Sequence, residues 1–230
     1  GAKLSDVFGA DNILWVEGKT EEICFPRIID KVPGLSLQGT SVLAVKHTGD
    51  FENSKMAKTI LEIYTKLSTG KGMIPPAIGF FFDREDRSKT EMEDLQRQAR
   101  AASGISESRN MIVFTKRKMF ENYLLDSIAI AEVLKSEGET NVSDAIIDEW
   151  IEANRWDKDY IKDKSQNIEK WLDNVDGAKL LDKLFNSVSE TRVKFDKIKH
   201  SVALCDWLIE HNIDRLTDIV ETLRGFLKKD

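Results

Sequence analysis

The sequence predicts an α/β protein, a parallel sheet flanked by helices, with a C-terminal all-helical part. Three observations predict it. Short apolar runs alternate with helical patterns through the first half of the chain, the grammar of strands joined by helical crossovers. Two of those runs stop on acid, at Glu17 and at Asp83. Beyond about Asp126 the strand-like runs cease and only helical patterns follow. The change of texture divides the chain into an α/β domain over residues 1–126 and a helical subdomain, packed on it, over residues 127–230.

Composition bounds the answer. With 230 residues the chain is one large domain or a domain with an appendage, and it can bury a substantial core. Hydrophobic residues make up 41% and charged residues 32%, which suits a protein exposed to water. No apolar run approaches the roughly 20 residues that span a bilayer, and the start lacks the basic-then-apolar order of a secretory signal. A cytoplasmic protein with no membrane partner is expected. The net charge of −6 gives no general affinity for a polyanion, so a nucleic acid would need a local basic face, metal ions or help from another domain. Cys24 and Cys205 lie in apolar helical patterns without metal-ligand spacing, which predicts buried free thiols.

Taken in order, the strands are expected at residues 13–16, 42–46, 78–82 and 111–115. After Glu17, the apolar positions Ile23, Cys24, Pro26, Ile28 and Ile29 fit a helix that Pro33 and Gly34 bring to a stop. Residues 53–67 carry an apolar stripe of Met56, Ile60, Ile63, Tyr64 and Leu67, a second helix. The loop 68–76 breaks the chain before the third strand. Ser88 and Glu91 have capping-box spacing, so a helix starts right after the acidic loop and runs to about Ala102. The later helices are expected at 127–136, 143–153, 166–175, 178–187 and 200–226, with Trp150, Trp171 and Trp207 anchoring their packing.

In an open α/β sheet the ligand crevice lies outside the carboxyl ends of the strands, so Glu17 and Asp83 can converge on one site. Converging carboxylates repel unless a cation sits between them, and hard oxygen donors suit Mg²⁺ or Mn²⁺. Glu17 and Glu21 are four apart and share a helix face if the helix has begun; the alternative for Glu21 and Glu22 is a solvated N-terminus facing the helix dipole. Asp83 and Glu85 point the same way if the chain stays extended, while Arg84 and Arg87 could instead neutralise the cluster as surface ion pairs. Glu121 follows the basic run Lys116-Arg117-Lys118. It is either a further metal-facing acid beside a phosphate-binding patch or part of a basic turn leading into an amphipathic helix.

Gly18-Lys19-Thr20 is not a phosphate loop, because Ile13 stands where that loop needs a glycine. No dinucleotide fingerprint follows the first strand. His47, His200 and His211 are scattered without ligand spacing and read as structural or surface residues.

Glu17-Gly18 after the first strand, Asp83-x-Glu85 after the third and Glu121-Asn122-Tyr123-Leu124 beyond the fourth are together similar to the Toprim domain of the overcoming-lysogenization-defect (OLD) family nucleases. These are ATPase–Toprim proteins, some of them acting in anti-phage defence. The resemblance spans roughly residues 10–126. It implies a Toprim-like sheet and a DNA endonuclease or nickase using two Mg²⁺ or Mn²⁺ ions. Glu17 and Glu21 match the paired acids of the family's first motif, and Asp83 the first position of its Asp-x-Asp. Glu85 replaces the second Asp, with Asp86 adjacent, so the second ligand there stays open. Glu121 matches the acid of the Glu-Asn-Tyr-Leu segment. The metal set implied is Glu17, Glu21, Asp83, Glu85 and Glu121; Glu17, Asp83 and a late lysine carry the catalysis. Lys199 is favoured for that lysine, with Lys179 and Lys197 as alternatives.

Two cations about 4 Å apart would activate water and steady the leaving oxygen, with the lysine offsetting developing charge. The chain has no Walker A motif and begins about ten residues before its first strand, so a C-terminal fragment or stand-alone Toprim subunit is expected, working with an ATPase domain or subunit. A homo-oligomer is compatible with this. The rivals are a receiver-like signalling module with Asp83 as phosphoacceptor, and a non-catalytic Toprim that only assembles a larger complex. A topoisomerase would need a nucleophilic tyrosine, for which Tyr64, Tyr123 and Tyr160 are the choices, and it ranks lower.

Overall fold

The computed structural model describes residues 12–37, 39–45, 77–103, 112–161 and 168–227. The helix expected at 53–67, the loop 68–76 and His47 lie outside the described residues. The chain divides into two compact units, Gly1–Thr115 with Ile219–Asp230, and Lys116–Asp218. The last helix thus leaves the helical segment it follows in sequence and contributes its body to the unit of the sheet.

In the sheet unit, β1 (Asn12–Val16) pairs in parallel with β2 (Thr40–Ala44) on one side and β3 (Ala77–Phe82) on the other, and β3 pairs with β4 (Ile112–Phe114), giving the order β2-β1-β3-β4. Register sets Val16 opposite both Ala44 and Phe81, and Phe82 opposite Phe114. The strand ends carrying Glu17 and Asp83 are therefore neighbours, as the apolar-then-acidic pattern predicted.

Strand alternation sends the phenylalanines of β3 to opposite faces. On one face Phe81 lies 5.2 Å from Phe25 of α1 (Lys19–Lys31) and 6.2 Å from Phe226. Phe226 belongs to the C-terminal helix, Thr217–Leu227. Gly79 shares this face, and a Cβ there would sit 2.1 Å from the Phe226 ring, so only glycine allows the approach. On the other face Phe80 and Phe82 form a cluster with Val45, Ala99 and Ile112, with Trp15 and Phe114 packed against it. Ala99 comes from α2 (Lys89–Ser103), whose start is the expected capping box: Glu91 Oε2 accepts from Ser88 N at 2.7 Å and Ser88 Oγ from Glu91 N at 3.3 Å. A sheet buried on both faces explains the unbroken apolar run of β3.

The helical unit holds α3 (Ser127–Ser136), α4 (Asp144–Asn154), α5 (Ile168–Asn174), α6 (Gly177–Val188) and α7 (Lys197–His211), while Thr217 opens α8 (Thr217–Leu227). The single helix expected over 200–226 is two, joined by a 3₁₀ turn at Ile213–Leu216. Asn212 leaves the helical region at φ −150° and ψ 58°, directly after His211, so the C-terminal stop is a polar pair rather than glycine or proline. Tryptophan packing follows expectation at Trp171, which is buried and donates Nε1 to Arg155 O at 2.8 Å. Trp150 donates to Ser187 Oγ at 2.8 Å, and Trp207 stacks on His211 with ring centroids 4.5 Å apart. Cys24 and Cys205 are buried free thiols, as expected. Among the described residues no helix is long and apolar enough to cross a membrane.

Candidate functional site

Glu17 stands one residue past β1, half-buried, and its Oε2 accepts a hydrogen bond from the backbone N–H of Asp83 at 3.1 Å. That bond ties the acidic ends of two adjacent strands directly to each other. Asp83 itself is only 5% exposed. Glu21 occupies the first turn of α1, is also buried, and folds back so that Oε2 accepts from Gly18 N at 3.1 Å. Gly18 is the extended N-cap, and a Cβ on it would lie 3.0 Å from that same Glu21 oxygen. The helix starts at Lys19, so Glu17 precedes it and does not share a helical face with Glu21 as the four-residue spacing suggested. Glu22 pairs with Lys19 at 2.6 Å on the surface.

The acidic loop after β3 does not stay extended. Arg87 N donates to Arg84 O at 3.2 Å, closing a turn whose first central residue, Glu85, has φ 54°. The alternation that would aim Asp83 and Glu85 alike therefore stops at Arg84. Arg87 is buried rather than at the surface: its Nη1 donates to Asp83 O at 2.8 Å and to Arg84 O at 3.3 Å, and its guanidinium carbon lies 5.6 Å from the Phe114 ring centre. Thr115 Oγ1 accepts from Arg84 N at 2.9 Å. Asp86 is exposed. The sequence pointed to Arg87 only as a surface residue and gave no role to Thr115, because neither burial of an arginine nor a threonine one residue past a strand carries a periodic signal.

In the helical unit, Glu121 lies in a 3₁₀ turn, Phe120–Tyr123, and is fully buried. Neither of its oxygens accepts a hydrogen bond of good geometry, although Lys197 Nζ lies 3.1 Å from Oε1. The short charge separation is what matters for the pair, since Coulomb attraction does not need the angle a hydrogen bond needs. Asn122 Nδ2 donates to Leu172 O at 2.7 Å and to Val175 O at 2.9 Å, and a Cβ on Gly177 would meet Asn122 Oδ1 at 2.7 Å. The Glu-Asn-Tyr-Leu segment is thus clamped by the α5–α6 connection. Tyr123 Oη accepts from Arg117 N at 3.2 Å, and burial pushes its phenol up to about 12.

The basic run is spoken for: Lys116 pairs with Asp218, Arg117 lies over the Tyr123 ring at 4.5 Å, and Lys118 is buried. The late lysines separate cleanly. Lys197 reaches Glu121; Lys199 pairs with Glu137 at 2.6 Å; Lys179 pairs with its own N-cap Asp176 at 3.2 Å. Lys199 sits inside the first turn of α7, because Asp196 caps that helix by accepting from Lys199 N at 2.8 Å. His200, behind it, packs between Phe185 and Phe195 and accepts from Asp196 N through Nδ1 at 2.8 Å, a structural histidine as expected.

The donor set beside β1 and β3 fits a hard cation. Glu17 and Glu21 each accept a backbone N–H on one oxygen, a bond that fixes a carboxylate without exhausting its lone pairs. Among the described residues no three of His, Cys, Asp and Glu form a ready-made cage. Mg²⁺ typically takes one or two carboxylates and fills the rest of its shell with water and substrate phosphate, so such an ion does not require an all-protein cage.

Residues 8–67 match the family model described as overcoming lysogenization defect protein-like, TOPRIM domain. Among solved structures, the C-terminal region of the Burkholderia pseudomallei OLD protein aligns with a TM-score of 0.50 at 18% identity, covering 95% of this chain and 98% of that one. The C-terminal region of the Xanthomonas campestris pv. campestris OLD protein aligns at 0.45 and 15% identity, over 94% and 97% of the two chains. A search of the curated proteins gave no match. Residues 8–67 are thus similar to an OLD-like Toprim domain, and the parallel sheet with its helical C-terminal part has the fold of an OLD protein's C-terminal region.

Proposed function

We propose that this Toprim chain is a metal-dependent DNA endonuclease or nickase, the nuclease part of an ATPase–Toprim system. The observation that carries the reading is the bond between Glu17 Oε2 and Asp83 N, which holds two acids together at the carboxyl ends of adjacent parallel strands. Mg²⁺ or Mn²⁺, as two ions, would supply water activation and stabilisation of the leaving oxygen when bound. Glu17 and Asp83 are the anchoring carboxylates, with Glu21 and Glu85 supporting them from the flanking turns. Of the three tyrosines, Tyr123 and Tyr160 are buried, which disfavours either as the nucleophile of a tyrosyl transfer, and Tyr64 lies outside the described residues. Lys199 was the lysine favoured from sequence for charge stabilisation. Lys197 joins it as an equal contender because it is the one paired with Glu121.

The test is cleavage of supercoiled plasmid by the full chain in Mn²⁺, in Mg²⁺ and in chelator. Nicked or linear product in metal and none in chelator is expected; equal cleavage in all three sinks the reading. Comparing Lys197→Ala, Lys199→Ala and Lys179→Ala at saturating DNA identifies the lysine, whose loss should lower turnover on the order of 10²–10³-fold. A loss that shows only as weaker DNA binding and shrinks at low salt marks a phosphate contact instead. Incubation with a small phosphodonor separates the receiver-like alternative, since labelling of Asp83 is expected only there.

A further inference from the structure

We infer that Arg87 is a positioning residue that holds the acidic turn Asp83–Arg87 in the one conformation able to present its carboxylates; the inference rests on the metal-dependent reading above. The turn places Glu85 at φ 54°, at a first central position where a left-handed φ normally calls for glycine. A glutamate stays there only if the surroundings over-determine it. They do so through backbone groups. Arg87 Nη1 spans Asp83 O at 2.8 Å and Arg84 O at 3.3 Å, so a single guanidinium nitrogen gathers the two successive carbonyls that flank Arg84. The next amide, Arg84 N, is taken by Thr115 Oγ1 at 2.9 Å at the end of β4, and Asp83 N by Glu17 at 3.1 Å.

The guanidinium is itself fixed. Arg87 is only 6% exposed and its charged plane lies 5.6 Å from the Phe114 ring centre, within cation–π range. Arg87 thus bonds the peptide oxygens of the acidic turn from a fixed, buried position. A buried positive charge bonded to the Asp83 carbonyl also favours ionised acids at these strand ends. A lysine would keep the charge and lose the planar fork that presents several fixed donors at once.

The experiment compares the full chain with Arg87→Lys and Arg87→Ala. In the absence of metal, amide hydrogen exchange is expected to quicken at Arg84 and Arg87 in both variants, while Phe80–Phe82 in β3 stay protected. In plasmid cleavage, both variants should lose about 10- to 100-fold in turnover or in Mn²⁺ requirement, the range for partners that orient metal ligands, with little change in the DNA concentration for half-maximal rate. Added guanidinium should restore part of the Arg87→Ala rate, which a merely destabilised protein would not show. Unchanged exchange at the turn in Arg87→Ala overturns the inference whatever the activity. Parental turnover and Mn²⁺ dependence in Arg87→Lys and Arg87→Ala overturn it as well. A parent chain that neither cuts nor binds Mn²⁺, with a turn that still loosens in the variants, removes the nuclease reading and leaves Arg87 as the turn's clamp.

Discussion

Glu17 and Glu121 both follow a strand of the same sheet in sequence, yet the protein holds them by different means. Glu17 accepts a backbone N–H from Asp83, so its position is written into the pairing of β1 with β3. Glu121 is fully buried without a well-formed hydrogen bond and depends on the ammonium of Lys197. The first arrangement is rigid and tolerates loss of the acid, because the fold needs only the strand. The second is a charge kept in place by another charge, and removing either partner exposes the cost of burying the one that remains.

Four measurements test this contrast. The largest effect is expected at the strand ends: Asp83→Ala and Glu17→Ala should each abolish metal-dependent cleavage, on the order of 10²-fold or more. Their melting temperature without metal should be equal to or slightly above the parent's, because each removes one member of a self-repelling group. Cleavage at the parental rate would refute the assignment of these acids.

Lys197→Ala comes next. It should cost about 1–3 kcal/mol by leaving the Glu121 carboxylate buried and uncompensated. Adding Glu121→Gln to that variant should restore most of the loss in denaturant titration. A cost no greater than that of Lys199→Ala would mean that Glu121 finds another counter-charge.

A smaller effect should appear on acidification. Burial holds the His200 imidazole below its ordinary value of 6.5, with Glu137 pulling the other way and Lys199 adding to the depression. The neutral ring is also the form that accepts the Asp196 N–H. The unfolded chain therefore takes up the proton first as pH falls, so this contribution is complete above pH 6.5 and is lost progressively below it. Unfolding free energy measured from about pH 7 down to about pH 5 should show that slope, and His200→Asn, which keeps an acceptor and cannot titrate, should flatten it.

Lys199→Ala should be the mildest for stability. Its partner Glu137 is at the surface and the lysine is mostly exposed, so loss of the pair should cost about 0–1 kcal/mol. A larger loss would show that the pair anchors the start of α7.

Much of the sheet was legible because apolar runs that stop on acid say both where a strand lies and where it ends. Ser88 and Glu91 likewise announced α2 through the spacing of one reciprocal cap. α7 starts at Lys197, three residues before the expected His200, because Asp196 caps it ahead of the apolar stripe that begins at Val202. The break at Asn212 carries no such signal, since neither glycine nor proline marks it. Within the site, the pairing of Glu17 with Asp83 could be read from topology. The left-handed Glu85 and the inward turn of Arg87 could not, because both arise from long-range closure on Phe114 and Thr115 rather than from local preference.

The contact of Phe226 with Gly79 has a consequence for the order in which the protein is made. The helical unit is contiguous in sequence, from Lys116 to Asp218, and can close as soon as it leaves the ribosome. The sheet cannot. On one face of β3 the first helix can cover Phe81 through Phe25, but the surface at Gly79 that Phe226 covers waits until the last helix has been synthesised, and closing so long a loop is slow. During that interval the nascent chain presents an apolar strand to its neighbours, which makes the sheet unit, and not the helices, the part most in need of a chaperone's cover.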